Sequence, residues 1–439
     1  MQFEFLEGQI TQHRHHIDIT LLLACLPGNT THLMSTPSPT SYTPRNILIT
    51  GGAGFIGSHT VILFASTYPQ YNIINIDKLD YCSSLINLQS IANLTNYKFI
   101  KGDICSPDLM NYIFKTHNID TVLHFAAQTH VDNSFGNSFS FTRNNVMGTH
   151  VLLEAAKEHW KSSATGSSKD TAVDTQHRFI HVSTDEVYGE GECYMLFSTC
   201  ILNTTLLALG YLWHCTAWID FLFFLFLFPS CIGVRDDTKA MHEEHVLEPT
   251  NPYAATKAAA EFLVKAYHRS FQLPVIITRG NNVYGPHQFP EKLIPKFIFQ
   301  LNRNEKVTVH GTGENRRNFL YVTDVARAFD CIVHQGSVGS IYNIGGTQEM
   351  TNLKVAETLI RSMKEGSGRS GGSGEVDIDD HIQFVEDRCF NDVRYNIDSQ
   401  RLRSELGWSE QVTWYDGIGT FSIFDFSMQC AKCYTCGLH

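Results

Sequence analysis

A short apolar run that breaks into three glycines constrains this chain more than any other feature. In the stretch RNILITGGAGFIG, from Arg45 to Gly57, residues Ile47, Leu48 and Ile49 read as a buried strand. Gly51, Gly54 and Gly57 follow at three-residue spacing, and Ser58 to Ser66 reads as a helix. Strand, glycine turn and helix in that order receive a dinucleotide. Bare backbone can approach a pyrophosphate, whose charge meets free N–H groups at the helix N-terminus. A second strand, Tyr71 to Ile76, ends at Asp77, 20 residues past Gly57. An acid there hydrogen-bonds a ribose diol and repels a 2′-phosphate, which favours NAD over NADP. A plain βαβ unit with a capping aspartate is the other reading of the same residues.

The alternation continues. Tyr97 to Lys101 reads as a strand ending in Gly102-Asp103, Pro107 to Thr116 as a helix, and Thr121 to Phe125 as a fourth strand. Asp103 stands where it could meet an adenine edge, or simply close a turn. Ala126 and Ala127 are small enough to let a cofactor pass the strand end. Ser138 to Glu158 has a long helical pattern, 161–176 reads as a polar surface loop, and Phe179 to Val182 is a fifth strand. Alternating strands and helices predict an α/β fold, a doubly wound parallel sheet of Rossmann type covered on both faces.

At 439 residues the chain has room for two lobes. We expect residues 44–285 to form the dinucleotide-binding domain and 286–419 a smaller, partly interleaved substrate-binding lobe. The net charge of -11 is mild for this length and argues against affinity for nucleic acid or anionic membranes. Twelve cysteines without regular spacing fit free thiols in a reducing, cytoplasmic compartment. Residues 1–43 carry acids where a secretory signal carries bases, and read as a disordered or non-native extension.

Ser183-Thr184-Asp185-Glu186 directly follows the fifth strand. Ligands in such sheets bind at strand C-terminal ends, so the two carboxylates either divide acid and base work or form a solvated turn. Tyr253 and Lys257 then stand at Y-x-x-x-K spacing, on one face of a helix. A nearby ammonium and a cationic nicotinamide are expected to lower the tyrosine pKa and make it a base near neutral pH.

These residues resemble the extended short-chain dehydrogenase/reductase family, and within it the dTDP-glucose 4,6-dehydratase group. The resemblance runs from about Arg45 to Gly417 and rests on TGGAGFIG, HFAAQTHVDNS, NNVMGT, STDEVYG, NPYAATK, NVYGPHQFPEKLIP, RRNFLYVTD and YNIGG. It implies a tightly bound NAD held by Gly51, Gly54, Phe55, Ile56, Gly57, Asp77, Lys78, Asp103, Ile104, Ala126, Ala127, Asn145, Tyr253 and Lys257. It implies that Thr184, Asp185, Glu186, Tyr253 and Lys257 are catalytic. His130, Thr184, Asn282, Lys292, Leu293, Arg317 and Asn343 are the implied contacts to a nucleotide sugar, and Asp387, Arg388 and Arg394 match a nucleotide-closing segment. The implied reaction turns dTDP-glucose into its 4-keto-6-deoxy form: oxidation at C4, loss of water across C5–C6, and return of hydride to C6. The resemblance also implies a homodimer, through the helices around 138–158 and 253–270. Another UDP-sugar enzyme of the same fold, an epimerase or decarboxylase, is the second reading.

The chain departs from the family between Gly189 and Asn251. The excess, about 191–235, contains FLFFLFLF at 221–228. By length and apolarity this region could pass for a membrane span. A single span would separate Thr184–Glu186 from Tyr253–Lys257, so we expect no membrane segment but an insertion foreign to the fold. An impaired NAD-binding variant is therefore a third reading. Thr308 and His310 replace residues common near the base, which leaves thymine against uracil open. Cys430, Cys433 and Cys436 in the 420–439 tail lack a fourth cysteine, and no metal is expected.

Overall fold

The structure, a computed structural model, describes residues 42–163, 176–189, 240–365, 377–387, 392 and 394–420. The expectations for the N-terminal extension, the 191–235 excess, Arg388 and the cysteine tail fall outside them.

The glycine turn sits between β1 (Asn46–Thr50) and α1 (Phe55–Thr67), which begins three residues earlier than the sequence pattern implies and is capped by Gly54. β2 (Asn72–Asp77), β3 (Tyr97–Lys101), α2 (Pro107–His117) and β4 (Thr121–His124) follow. The single helix expected from Ser138 is broken. After α3 (Val131–Gly136), α4 (Ser138–Phe141) runs into a π-helical turn, Thr142–Met147, and then into α5 (Gly148–Ser163). The wider turn buries two consecutive polar residues, Asn144 and Asn145. α5 also extends past the point where we expected a loop.

β5 (Arg178–Thr184) feeds a 3-10 turn, Asp185–Tyr188. α6 (Pro252–Phe271) starts with proline in its first turn and Asn251 as its cap. β6 (Val275–Gly280) and β7 (Asn282–Tyr284) lead to α7 (Leu293–Asn302), β8 (Val307–His310), β9 (Arg316–Tyr321) and α8 (Val322–Gln335). The remainder comprises β10 (Ile341–Ile344), β11 (Glu349–Thr351), α9 (Asn352–Glu365), β12 (Ile382–Val385), β13 (Arg394–Tyr395) and α10 (Gln400–Leu406).

The main sheet has seven strands in the order β10-β6-β5-β4-β1-β2-β3, all parallel. Its order reverses direction next to β1, the place where doubly wound sheets open a crevice. Alternation along β1 explains the two layers. Ile47 and Ile49 pack with Val61 and Phe64 of α1 and Phe329 of α8. Leu48 packs on the other face with Met110, Leu152 and Val264. Each such side chain, fully withdrawn from water, contributes roughly 1.5–3 kcal/mol.

A second core gathers Phe297, Ile298, Val307, Val355 and Ile360. Its strands form a small sheet, β11-β9-β13 with β7 also on β9, and a β8–β12 pair. β10 and α8 return from this later part of the chain to the main sheet.

Candidate active site

One cavity of about 480 Å³ runs from the glycine turn to β9, past the C-terminal ends of β1, β4 and β5. At its first end the glycines are required by contact. Gly51 has φ +71°, and a Cβ there would lie 2.7 Å from Ala126 Cα; one on Gly57 would lie 2.4 Å from the Gly51 carbonyl oxygen. Gly54, Phe55 and Ile56 complete this wall. Asp77 is fixed at the rim: its carboxylate accepts from Ala53 N (3.1 Å), Leu79 N (2.8 Å) and Ser83 Oγ (3.0 Å). Lys78, Asp103, Ile104, Ala126 and Ala127 line the same end.

Asn145 is placed elsewhere. It lies behind the wall, donating to Gln128 O (3.0 Å) and Thr256 Oγ1 (2.9 Å) and accepting from Gln128 N (2.8 Å). Its neighbour Asn144 faces the cavity and accepts from Lys78 Nζ at 3.0 Å.

In the middle, Thr184 and Glu186 meet Tyr253 and Lys257. Thr184 lies beside Tyr253 in the cavity wall and donates to Asp185 Oδ1 at 3.1 Å. Lys257 Nζ donates to Val182 O at 2.6 Å. Asp185 sits one layer behind the wall, its other oxygen accepting from Asn281 Nδ2 at 2.8 Å. Glu186 Oε2 accepts from Asn251 Nδ2 at 2.9 Å. Asn251 and Asn281 carried no role in the sequence reading. The helix-cap position of Asn251, before proline, is the one signal that could have singled it out.

The electrostatics follow from burial. Asp185 is pushed up to about 6 by burial, against the hydrogen bonds from Asn281 and Thr184 and the charge of Arg317. Glu186 is raised by burial and by Asp185 beside it. Burial lowers the Lys257 ammonium to about 8, opposed by Glu261. The expected lowering of the tyrosine is not what the chain's own groups produce. Burial, then Glu186 and Asp185, push the Tyr253 phenol above its ordinary range. Desolvation disfavours a phenolate, and the negative charge of the two acids adds to that cost.

At the far end, Lys292 donates to Thr129 O at 3.1 Å, and His130 lies 3.7 Å from Glu291. Asn282, Leu293 and Arg317 also line the cavity. Arg317 is held ready by two carbonyls, Arg316 O and Asp392 O, both at 2.7 Å, with its guanidinium 4.7 Å from the Tyr395 ring centre. Asn343 does not reach the cavity. It is fully buried, donating to Met241 O and Asp398 O, both at 3.0 Å, and accepting from Tyr188 at 2.9 Å. Among the described residues no group of three metal-ligating side chains occurs, and no helix is long and apolar enough to cross a membrane.

A glycine cradle at one end, a Tyr-x-x-x-Lys pair at the centre and a parallel sheet that reverses order between them define a site of the extended short-chain dehydrogenase/reductase type. The family model for GDP-mannose 4,6 dehydratase matches residues 48–196 and 233–421. The chain belongs to this family. It is 47% identical over 378 residues to a trifunctional UDP-glucose 4,6-dehydratase/UDP-4-keto-6-deoxy-D-glucose 3,5-epimerase/UDP-4-keto-L-rhamnose-reductase of Arabidopsis thaliana, an alignment covering 86% of this chain. The chain spans about half the length of that relative, 46%. It is 43% identical to the dTDP-D-glucose 4,6-dehydratase of Bos taurus, over 87% of this chain and 88% of that one. Its fold is similar to the dTDP-glucose 4,6-dehydratase of Streptomyces venezuelae, solved with NAD and TDP bound. There the TM-score is 0.67 at 32% identity, covering 86% of this chain and 95% of that one.

Proposed function

We propose that this chain is an NAD-dependent nucleotide-sugar 4,6-dehydratase that converts dTDP-glucose to dTDP-4-keto-6-deoxy-glucose. The observation that carries the reading is the Thr184–Glu186 turn. It presents two carboxyl groups of unequal surroundings, one behind Asn281 and one on the cavity wall, beside Tyr253 and Lys257. An epimerase needs no acid at C6; a dehydratase does.

The cradle at Gly51 and Gly57, which a Cβ would fill, fits a pyrophosphate. Asp77 is placed for a ribose, Asp103 and Ile104 for adenine, and Lys257 for the nicotinamide ribose. When bound, NAD supplies the hydride acceptor at C4 and the hydride donor at C6. Tyr253, next to Thr184 and beside the charged Lys257, takes the 4-hydroxyl proton. Glu186 takes the C5 proton made acidic by the 4-ketone. Asp185 gives its proton to the departing 6-hydroxyl, which leaves as water, and Glu186 returns a proton to C5. Arg317, a planar guanidinium at the far end, suits the substrate's diphosphate. Tyr253 needs cationic neighbours to offset the burial that pushes its phenol up, and this ties its basicity to the loaded site.

The 47% identity to UDP-glucose enzymes favours a second reading in which uridine replaces thymidine. The test is incubation with NAD and dTDP-glucose, with UDP-glucose in parallel, followed by detection of the 4-keto-6-deoxy sugar. Faster turnover of UDP-glucose moves the base assignment; no product from either sugar overturns the proposal. We propose further that the protein is cytoplasmic and a homodimer. Phe139 on α4 and Phe262 on α6 are exposed, as a helical dimer face requires.

A further inference from the structure

We infer that Arg279 is a positioning residue for this reaction: from inside the protein it fixes the Asp185–Glu186 turn against the helix that carries Tyr253 and Lys257. The inference rests on the dehydratase reading. Arg279 lies on β6 and its side chain is fully buried. Its Nε and one terminal nitrogen donate to both oxygens of Glu261, at 3.0 and 2.7 Å. The other terminal nitrogen donates to Tyr188 Oη at 2.7 Å and to Glu243 O at 3.0 Å. The guanidinium also stacks 4.7 Å from the Tyr188 ring centre.

Each acceptor belongs to a different segment. Tyr188 closes the 3-10 turn that begins at Asp185, and its hydroxyl passes the chain on to Asn343 of β10. Glu261 stands four residues past Lys257 on α6, on the same helical face. Glu243 lies in the segment before α6, and its carboxylate accepts from Asn343 N at 2.9 Å. One rigid fork therefore joins the turn bearing the acid and base to the helix bearing the Tyr–Lys pair.

Stability alone does not account for it. Desolvating an arginine and a glutamate costs about as much as their attraction returns, and apolar residues of equal volume often do as well. The planar fork does what an apolar cluster cannot: it fixes distances and angles among three segments at once. Reacting groups displaced by about 1 Å can lose on the order of a hundredfold in rate.

Two variants test the assignment in the full-length, NAD-loaded protein. Tyr188→Phe removes one hydroxyl and keeps the ring and the ion pair. The double variant Arg279→Met/Glu261→Leu removes the fork and its buried counter-charge together. It also takes an acid from Lys265, 3.6 Å from Glu261, and from Lys257, so Tyr188→Phe is the cleaner of the two. For each we would measure the thermal midpoint, kcat and KM with the nucleotide sugar, and the pH profile of kcat. Asp185 would also be titrated by difference infrared spectroscopy, with Asp185→Asn as reference. Around Asp185 stand Asn281, Thr184, Glu186, Tyr253 and Arg317. We expect kcat to fall about tenfold or more in both variants, with KM changed less than about twofold. We also expect the Asp185 titration and the alkaline limb of the profile to move to lower pH as the turn loosens toward water. If only the thermal midpoint falls, while kcat and the Asp185 titration stay at their wild-type values, the inference is overturned. Wild-type protein that makes no keto sugar would overturn the dehydratase reading instead, and the Asp185 titration in Tyr188→Phe would still decide the positioning role.

Discussion

Asn251 holds Glu186 with the same side chain that starts the Tyr–Lys helix. Its Nδ2 donates to Glu186 Oε2 at 2.9 Å, and its Oδ1 accepts from Ala254 N at 2.8 Å. The candidate base and the candidate Tyr253 thus share one anchor. Two substitutions separate the two jobs. Asn251→Ala loses the cap, at about 1 kcal/mol of stability, and frees the carboxylate. Asn251→Asp keeps an acceptor for Ala254 N but sets a second carboxylate against Glu186, raising it further. We expect near-wild-type thermal stability for the aspartate variant, with turnover reduced at least as much as in the alanine variant. Wild-type kcat in Asn251→Asp would show that the contact does not matter to the reaction.

Asp185 gives a stability prediction with a definite sign. Burial raises it from the ordinary 3.8 to about 6, so the fold binds its proton more tightly than the unfolded chain does. The contribution is fully present below about pH 3.8 and is lost as pH rises through about 6. The loss is on the order of 3 kcal/mol. Asp185→Asn removes the titration. Relative to wild type it should gain stability between pH 4 and 7 by up to roughly that amount, and turnover should collapse. Thermal melts across this range, paired with turnover assays, check both halves. A pH-independent stability difference would refute the assignment.

Gly57→Ala should cost dinucleotide affinity, because the new methyl would press on backbone. A Cβ at Gly57 would come within 2.4 Å of Gly51 O and 2.9 Å of Gly52 Cα. Neither atom can yield without moving the turn that frames the cavity. Binding of NAD, followed by calorimetry, should weaken about tenfold or more. Gly136→Ala, where nothing lies within 4 Å, serves as the control and should bind normally.

The dimer proposal is tested at the surface. Phe139 is 88% exposed and Phe262 58%, on helices whose other faces are buried. The two aromatics are the apolar contacts that a partner's helices would cover. Phe262→Glu should convert a dimer to a monomer in light scattering at micromolar concentration. A mass unchanged by the substitution would count against this face.

What the sequence made legible was whatever obeys a local rule. The β1 strand, the glycines and Asp77 were readable because turn geometry and strand alternation depend on neighbours in the chain. Tyr253 and Lys257 were readable because four residues make one helical turn. Asn145 and Asn343 were harder. Each lies next to a residue with a plain local pattern, but one of its partners, Thr256 for Asn145 and Tyr188 for Asn343, is more than a hundred positions away. Arg279 and Glu261 carried no signal, because nothing local says that a charge on a central strand will be buried. The rise of the Tyr253 phenol in the chain without its cofactor was not legible for the same reason. It depends on how much water the fold removes, which spacing does not encode.

The 191–235 excess makes the last prediction. The family model leaves residues 197–232 unmatched, inside that excess. Its flanks are fixed by the fold itself. Gly189, at φ +68°, lies so close to Glu248 that a Cβ would sit 1.9 Å from its carbonyl oxygen. Glu248 N donates to Val187 O at 3.0 Å, and Met241 N donates to Asn396 O at 2.8 Å. Glu243 is tied to both Arg279 and Asn343. Among the described residues, these contacts to the Asp185–Tyr188 turn come from outside the excess. Replacing 191–235 with a short Gly/Ser linker should leave the thermal midpoint and kcat within roughly twofold of the full chain's, or better, with higher soluble yield. A deletion variant that folds and binds NAD yet makes no product would mean that the segment belongs to the working enzyme.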